Sequence, residues 1–154
     1  MPEYILVTKE EEYKAAASLF KEYADWLNID LCFQNFSEEL LQLESMYAPP
    51  YGGIILAKNE NDFVGCVAIR KKDEATAELK RMYVKPTNQQ QGTGKKLLEE
   101  AFSLAKKYGY KKIQLDTLSD MAAAINLYKQ HGFYEIPAYY YNPEKTAVYF
   151  EKIL

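Results

Sequence analysis

The run Val84-Lys85-Pro86-Thr87-Asn88-Gln89-Gln90-Gln91-Gly92-Thr93-Gly94-Lys95-Lys96-Leu97-Leu98 changes character twice. An apolar strand pattern ends at Val84, a polar loop with two glycines follows, and an amphipathic helical pattern begins at once. Strand, glycine loop and helix N-terminus in that order turn several backbone N–H groups one way, with the helix dipole behind them. Such a cradle suits a phosphate or pyrophosphate. Two familiar phosphate loops do not fit. A nucleoside-triphosphate loop needs a glycine where Gln89 stands and a Ser or Thr where Lys96 stands. A dinucleotide fingerprint needs a third small residue for close helix packing, and Leu97 occupies that position.

Working outward, Glu78-Leu79-Lys80-Arg81-Met82-Tyr83-Val84 reads as a strand leading straight into the loop. Beyond it, Leu97, Leu98, Ala101, Phe102 and Ala105 mark the inward face of a helix over 95–108, with Gly109 as its stop. A strand over 112–117 and a helix from about Met121 to His131 follow, and Gly132 ends that helix. Upstream, Tyr4–Val7 reads as a first strand. Thr8-x-x-Glu11 reads as a capping box opening a helix with Tyr13, Ala16, Ala17, Phe20, Ala24 and Leu27 inward. Ser37 with Glu38 and Glu39 begins a second helix reaching about Tyr47. Strands over 54–58 and 63–70 form a hairpin around Asn59–Asp62, and Thr76–Val84 is the next strand. Phe133–Tyr139 and Ala147–Ile153 close the chain as strands, with Tyr139-Tyr140-Tyr141-Asn142-Pro143 in the turn between them. The strand–helix–strand order over 76–117 implies a parallel pair inside a mixed sheet.

Two motifs in this order carry a family resemblance. Gln89-Gln90-Gln91-Gly92-Thr93-Gly94 fits Gln/Arg-x-x-Gly-x-Gly/Ala, and Ala124-x-x-Leu127-Tyr128-x-x-x-Gly132-Phe133 fits Ala-x-x-Leu-Tyr-x-x-x-Gly-Phe. The chain resembles the GNAT superfamily of acyl-CoA-dependent N-acyltransferases, most closely over 78–139. The resemblance implies an α/β fold with a central mixed, twisted sheet of six to seven strands flanked by about four helices, as one domain over 1–154. It implies acetyl-CoA as acyl donor. Backbone N–H groups of Gln90, Gln91, Gly92, Thr93, Gly94 and Lys95 would hold the pyrophosphate, with Gln89 opening the motif. The central strand would bulge and splay from its parallel neighbour, so that Met82, Tyr83 and Val84 offer main-chain partners to the pantetheine arm. The Met82 N–H would polarise the thioester carbonyl. Many relatives carry an Asn where this chain has Met121, so cofactor binding here would rest on backbone groups.

Tyr128 matches the family's proton donor to the coenzyme A sulfur. It also lies on the apolar stripe Ala124, Leu127, Tyr128, His131, and spacing alone leaves both readings open. Glu78 aligns with a carboxylate that serves as general base in some members. By strand alternation it shares a face with Lys80, Met82 and Val84, and a half-buried carboxylate there would have a raised pKa. The other reading is an ion pair with Lys80 or Arg81. Asp116, on the neighbouring strand, reads as a structural partner for one of the same two cations. Arg70, Lys80, Arg81 and Tyr139 are the candidate acceptor-binding residues. Alternation sends Lys80 and Arg81 to opposite faces. Tyr47, Tyr51 and the Tyr139 cluster form either an aromatic wall of the acceptor site or a packing or homodimer contact. His131, the only histidine, reads as the partner of a helix C-terminus.

Composition narrows the classes. A 154-residue chain with 48% apolar and 27% charged residues is ordinary for one globular core. Its 19 basic and 22 acidic residues give a net charge of −3, with lysines in scattered pairs, so no nucleic-acid partner is indicated. Cys32 and Cys66 read as buried thiols of a reducing compartment, and one histidine with two distant cysteines makes no metal site. The N-terminal segment has neither a basic start nor a long apolar run, which points to a cytoplasmic protein without a membrane span. The expected function is transfer of an acetyl group from acetyl-CoA to the primary amine of a small molecule or amino acid by direct attack in a ternary complex. The alternatives are a protein-lysine or N-terminal acetyltransferase, and a non-catalytic coenzyme A-binding module.

Overall fold

The computed structural model describes residues 2–27 and 35–154. Seven strands form one mixed sheet: β1 (Glu3–Leu6), β2 (Gly53–Asn59), β3 (Asp62–Lys71), β4 (Thr76–Val84), β5 (Lys112–Leu118), β6 (Tyr134–Ile136) and β7 (Ala147–Ile153). Their order across the sheet is β1-β2-β3-β4-β5-β7-β6, and only β4 and β5 run parallel. Five α-helices are described: α1 (Glu10–Leu27), α2 (Phe36–Leu41), α3 (Leu43–Met46), α4 (Thr93–Lys107) and α5 (Ala122–Gln130). The mixed sheet and the parallel pair are as the sequence predicts. The expected second helix is instead two short ones, because the backbone leaves helical geometry at Gln42 (φ −130°). The strand expected over 133–139 is only Tyr134–Ile136, and Cys32 lies outside the described residues.

The sheet has a core on each face. On one, α4 and α5 cover β2–β5 through Leu97, Leu98, Ala101, Phe102 and Tyr128. On the other, α1 and α3 pack Ala16, Leu19, Phe20 and Leu43 onto Ile54, Leu56, Cys66 and Ala68. The cap of α1 differs from the expected box. Glu12, not Glu11, reaches back, its Oε1 accepting the N–H groups of Thr8 at 2.9 Å and Lys9 at 3.0 Å. Burial works against ionisation of Glu12, but the Thr8 and Lys9 amides lower its pKa on balance.

The side of the sheet that carries α1 also holds a charge. Arg81 gives its Nε to Glu39 Oε2 at 3.0 Å and its Nη2 to Oε1 at 2.9 Å, with both side chains almost wholly buried. Tyr47 donates its hydroxyl to the same Glu39 carboxylate at 3.0 Å, which ties α2 and α3 to the central strand. A two-pronged pair satisfies both ions, while removal of one partner leaves a buried charge. Glu39→Ala is therefore expected to cost about 3–5 kcal/mol in urea denaturation. Glu39→Ala combined with Arg81→Met should recover much of that loss. A double variant no more stable than the single one would show that the pair is not what the cost reports.

Candidate active site

The site is organised by one residue of β4. Arg81 has φ 58°, in the left-handed region that a bulky L-residue rarely enters. The ladder to β3 passes from Lys80–Ala68 to Tyr83–Cys66, so Arg81 and Met82 together face Val67 as a bulge. The parallel ladder to β5 stops at Glu78–Gln114, and beyond it the two strands diverge. The bulge and splay implied by the resemblance are thus both present, and neither ladder claims Met82. Cys66 Sγ lies 3.2 Å from the Arg81 carbonyl, to which it donates, and helps hold the distortion.

The bulge also resets which side chains share a face. Ala77, Leu79, Met82 and Val84 pack on the α4 side, whereas Tyr83 packs on the α1 side, which Glu78, Lys80 and Arg81 share. Unbroken alternation had placed Glu78 with Met82 and Val84, and Lys80 opposite Arg81. Both expectations fail because the extra residue inverts the pattern halfway along the strand. Arg81 consequently meets Glu39, not Asp116 or a cofactor. Asp116 accepts the Tyr140 hydroxyl at 2.7 Å.

Where β4 and β5 part, a groove of about 450 Å³ opens, lined by Met82, Val84, Gln90, Gly94, Met121 and Tyr128 among others. The loop at its end is a Pro86–Asn88 turn followed by Gln90 at φ 62° and Gly92 at φ 84°, which caps α4. A Cβ on Gly92 would meet no protein atom within 4 Å, so the glycine answers to backbone conformation and to open space in front of the helix. Gln90, Gln91 and Lys95 are exposed there, while Thr93 turns its side chain inward beside Tyr4 and has only its backbone to offer. Gln89 closes the loop on itself, donating from Nε2 to the Val84 carbonyl at 2.9 Å. The Val84 carbonyl is therefore engaged within the protein, and the bulged Met82 is the better-placed main-chain group.

Tyr128 combines a core position with a place on the groove wall. The ring is buried and meets Phe133 edge-on at 5.5 Å, yet the oxygen makes no hydrogen bond to the described residues and the side chain lines the groove. A purely structural tyrosine usually finds its hydroxyl a partner. Burial pushes the phenol well above its ordinary pKa, so it keeps its proton across the physiological range. His131 closes α5, its Nδ1 2.9 Å from the Leu127 carbonyl, as expected for a helix C-terminus.

On the other side of the bulge lies a cavity of about 530 Å³, bounded by Glu39, Arg70, Lys72, Glu78, Lys80 and Tyr139 among others. Arg70, Lys80 and Tyr139 therefore stand together as the sequence suggests, whereas Arg81 lies behind, on Glu39. Glu78 receives Arg70 Nε on Oε1 at 2.9 Å and the Tyr139 hydroxyl on Oε2 at 3.1 Å. Its ion pair is thus with Arg70 across the ladder, not with Lys80 or Arg81 along its own strand. The expected upward pKa shift is reversed. Burial alone would raise it, but the charges of Lys80 and Arg70 and the two hydrogen bonds hold it below the ordinary carboxylate value. Burial, then the neighbouring Arg81 charge, pulls Lys80 down to about 8. Tyr47 is no wall of this cavity, being buried on Glu39. Tyr139 and Tyr140 frame it from the β6–β7 loop and pack edge-on with each other and with Tyr149 of β7 at 5.1–5.7 Å.

Sequence reasoning missed Lys72 and Glu39. Lys72 donates to Gln114 Oε1 and holds its ammonium 3.7 Å from the centre of the Tyr139 ring. It sits in a run of charges whose pattern looks like a solvated surface, so no local signal marks it. Glu39 did carry one: a carboxylate one turn from Leu43, on the buried face of a short helical stretch.

The chain matches the Acetyltransferase (GNAT) family over residues 14–133 and belongs to it. It is 36% identical over 133 residues to an uncharacterised N-acetyltransferase of Schizosaccharomyces pombe, covering 85% of this chain and 82% of that one. It is 31% identical over 156 residues to the IAA acetyltransferase of Azospirillum brasilense, covering both chains completely. The PaiA N-acetyltransferase of Thermoplasma acidophilum, solved in complex with coenzyme A, shares the fold with a TM-score of 0.76 at 19% identity, over 99% of each chain. The protein is an acyltransferase.

The lowered pKa of Glu78 has a direct readout. Followed by NMR of labelled carboxylates, Glu78 should titrate below the ordinary glutamate value of about 4.3. Tyr139→Phe should move its midpoint upward. Stability from this group is in place above the unfolded carboxylate pKa and is lost as pH falls through the lower folded value. A midpoint at or above the ordinary value would remove the assignment.

Proposed function

We propose that the chain transfers an acetyl group from acetyl-CoA to the primary amine of a small molecule, by direct attack of the amine while both substrates are bound. The observation that carries this reading is the pair of recesses flanking the β4 bulge. One is an apolar groove running to a glycine-capped helix N-terminus, and the other is a charged cavity. Coenzyme A fits the first. Gly92 leaves the space before α4 clear, Met82 belongs to neither ladder, and the Tyr128 hydroxyl has no partner among the described residues. The Schizosaccharomyces pombe relative named as an N-acetyltransferase supports acetyl transfer to nitrogen.

In this reading acetyl-CoA supplies the activated acyl group, and the protein supplies position and protons. Backbone N–H groups of residues 90–95 hold the pyrophosphate with the α4 dipole. The Met82 N–H faces the thioester oxygen, where negative charge develops during attack. Tyr128 gives its proton to the departing sulfur. A phenol raised by burial parts with it only to a base as strong as a poorly solvated thiolate. Glu78 faces the acceptor. Held below the ordinary carboxylate range, it binds the ammonium and passes its proton to water instead of retaining it. Direct attack accords with Cys66, the one described cysteine, being buried with its thiol pushed far up by burial and bonded to the Arg81 carbonyl.

Two variants test the assignment. Tyr128→Phe should lower kcat by about 10²–10⁴ while calorimetry gives nearly unchanged acetyl-CoA affinity. Wild-type turnover in that variant would return Tyr128 to the core. Acetyl-CoA at 100 times its Kd should stabilise the wild type by about 2.7 kcal/mol. Gly92→Val, forced into a left-handed backbone and bringing methyl groups to the cradle, should lose most of that stabilisation. Equal stabilisation of variant and wild type would remove the loop from the binding site.

A further inference from the structure

The two arginines beside the acceptor cavity are engaged very differently. Arg81 uses two nitrogens on both oxygens of Glu39 and is 3% exposed. Arg70 uses only Nε, on one oxygen of Glu78, and is 35% exposed. The second Glu78 oxygen goes to Tyr139, so the parallel two-bond pair that a carboxylate and a guanidinium favour is not formed. Among the described residues nothing bonds the terminal amino groups of Arg70. Glu78 fixes the plane of the guanidinium and leaves its fork directed elsewhere.

Arg70 and Lys72 also stand at a seam. Both line the acceptor cavity and a second recess of about 450 Å³ further from the bulge, bounded by Met46, Tyr51, Lys71 and Glu78 as well. Charge is graded between the two. The cavity beside the bulge mixes Glu38, Glu39 and Glu78 with its cations. The outer recess carries Arg70, Lys71 and Lys72 with Glu78 as its only lining carboxylate; Glu78 is already on Arg70, and Lys71 is held by the exposed Glu74 at 2.6 Å. A ligand lying across the seam therefore meets carboxylates near the bulge and cations at its far end.

We infer that the acceptor amine carries a carboxylate, which docks on the terminal amino groups of Arg70 beside Lys72 while the amine points toward Met82. This rests on the proposed N-acetyltransferase reading and names its substrate class: amino acids, from α to ω, in preference to plain amines. A guanidinium whose Nε is pinned by a buried carboxylate presents two parallel N–H donors in a fixed direction. The bound carboxylate would then orient the line along which the amine attacks. Lys72, held by Gln114 over the Tyr139 ring, adds a second charge and steadies the loop that carries Tyr139.

The test compares each amino acid with its decarboxylated amine at matched fractions of neutral amine, by release of free thiol from acetyl-CoA. The wild type should favour the carboxylated member of at least one pair by about tenfold or more in kcat/KM, the order of one charge-assisted contact. In Arg70→Lys and Lys72→Met, read separately, that ratio should fall toward one, chiefly through KM of the carboxylated member. Equal or better efficiency across all decarboxylated amines, or a ratio that survives in both variants, overturns the inference while leaving the N-acetyltransferase reading in place. Absence of turnover with both series, in a protein that still binds acetyl-CoA, overturns that reading and the acceptor assignment with it.

Discussion

A left-handed backbone at Arg81 is the constraint on which the rest of the site depends. An outlier of that kind in a bulky residue costs roughly 1–3 kcal/mol and persists only where its surroundings over-determine it. Here they do so from both ends. The side chain is gripped by Glu39, which also takes the Tyr47 hydroxyl, and the carbonyl receives the Cys66 thiol. The buried pair is weak evidence of net stability, since taking two ions out of water can outweigh their attraction. Its contribution is to position: no apolar pair of similar volume would hold α2 against one chosen residue of β4.

That bulge lets one strand border two recesses. Before it, Glu78 and Lys80 face the α1 side. After it, Met82 and Val84 face the groove side, where β5 has already turned away. Charges gathered on the first side have opposed environments. Glu78 is desolvated but surrounded by cations, and it stays ionised. Lys80 is desolvated beside two guanidiniums, which pulls its pKa down to about 8. The Lys80 and Arg70 charges that keep Glu78 anionic also leave the cavity with charges of both signs.

The elements visible in the sequence were those whose signals are local. Gly92 and Gly109 bracket α4, and the heptad-like apolar positions between them form its buried face. The Thr76–Val84 strand and the parallel pair followed from apolar runs separated by one helix. What escaped depends on contacts between distant residues. Arg81 pairs with Glu39 across 42 positions, and Glu78 with Tyr139 across 61. Alternation misplaced Met82 and Arg81 because nothing in Lys80-Arg81-Met82 announces a left-handed residue; a glycine there would have. The raised pKa expected for Glu78 considered burial and left out Arg70, which sits directly opposite in a register that only pairing reveals.

The same distinction separates the two halves of the site. The groove beside α4 joins an apolar side-chain lining to main-chain features: an N-terminal turn, a bulged amide, a glycine in front of a helix. Main-chain geometry needs particular residues at fixed offsets, so it leaves a motif. The charged cavity is made of side chains from α2, β3, β4 and the β6–β7 loop, among which Glu39 alone also holds the bulge. Its residues leave no spacing to read, and Lys72 beside Lys71 looks like any exposed pair until Tyr139 is found beneath it. A fold whose cofactor is held by backbone and whose acceptor is met by side chains can change acceptor while keeping its donor. In the proposed reading, acceptor choice would rest on Arg70, Lys72 and Tyr139, and donor chemistry on Met82, Gly92 and Tyr128.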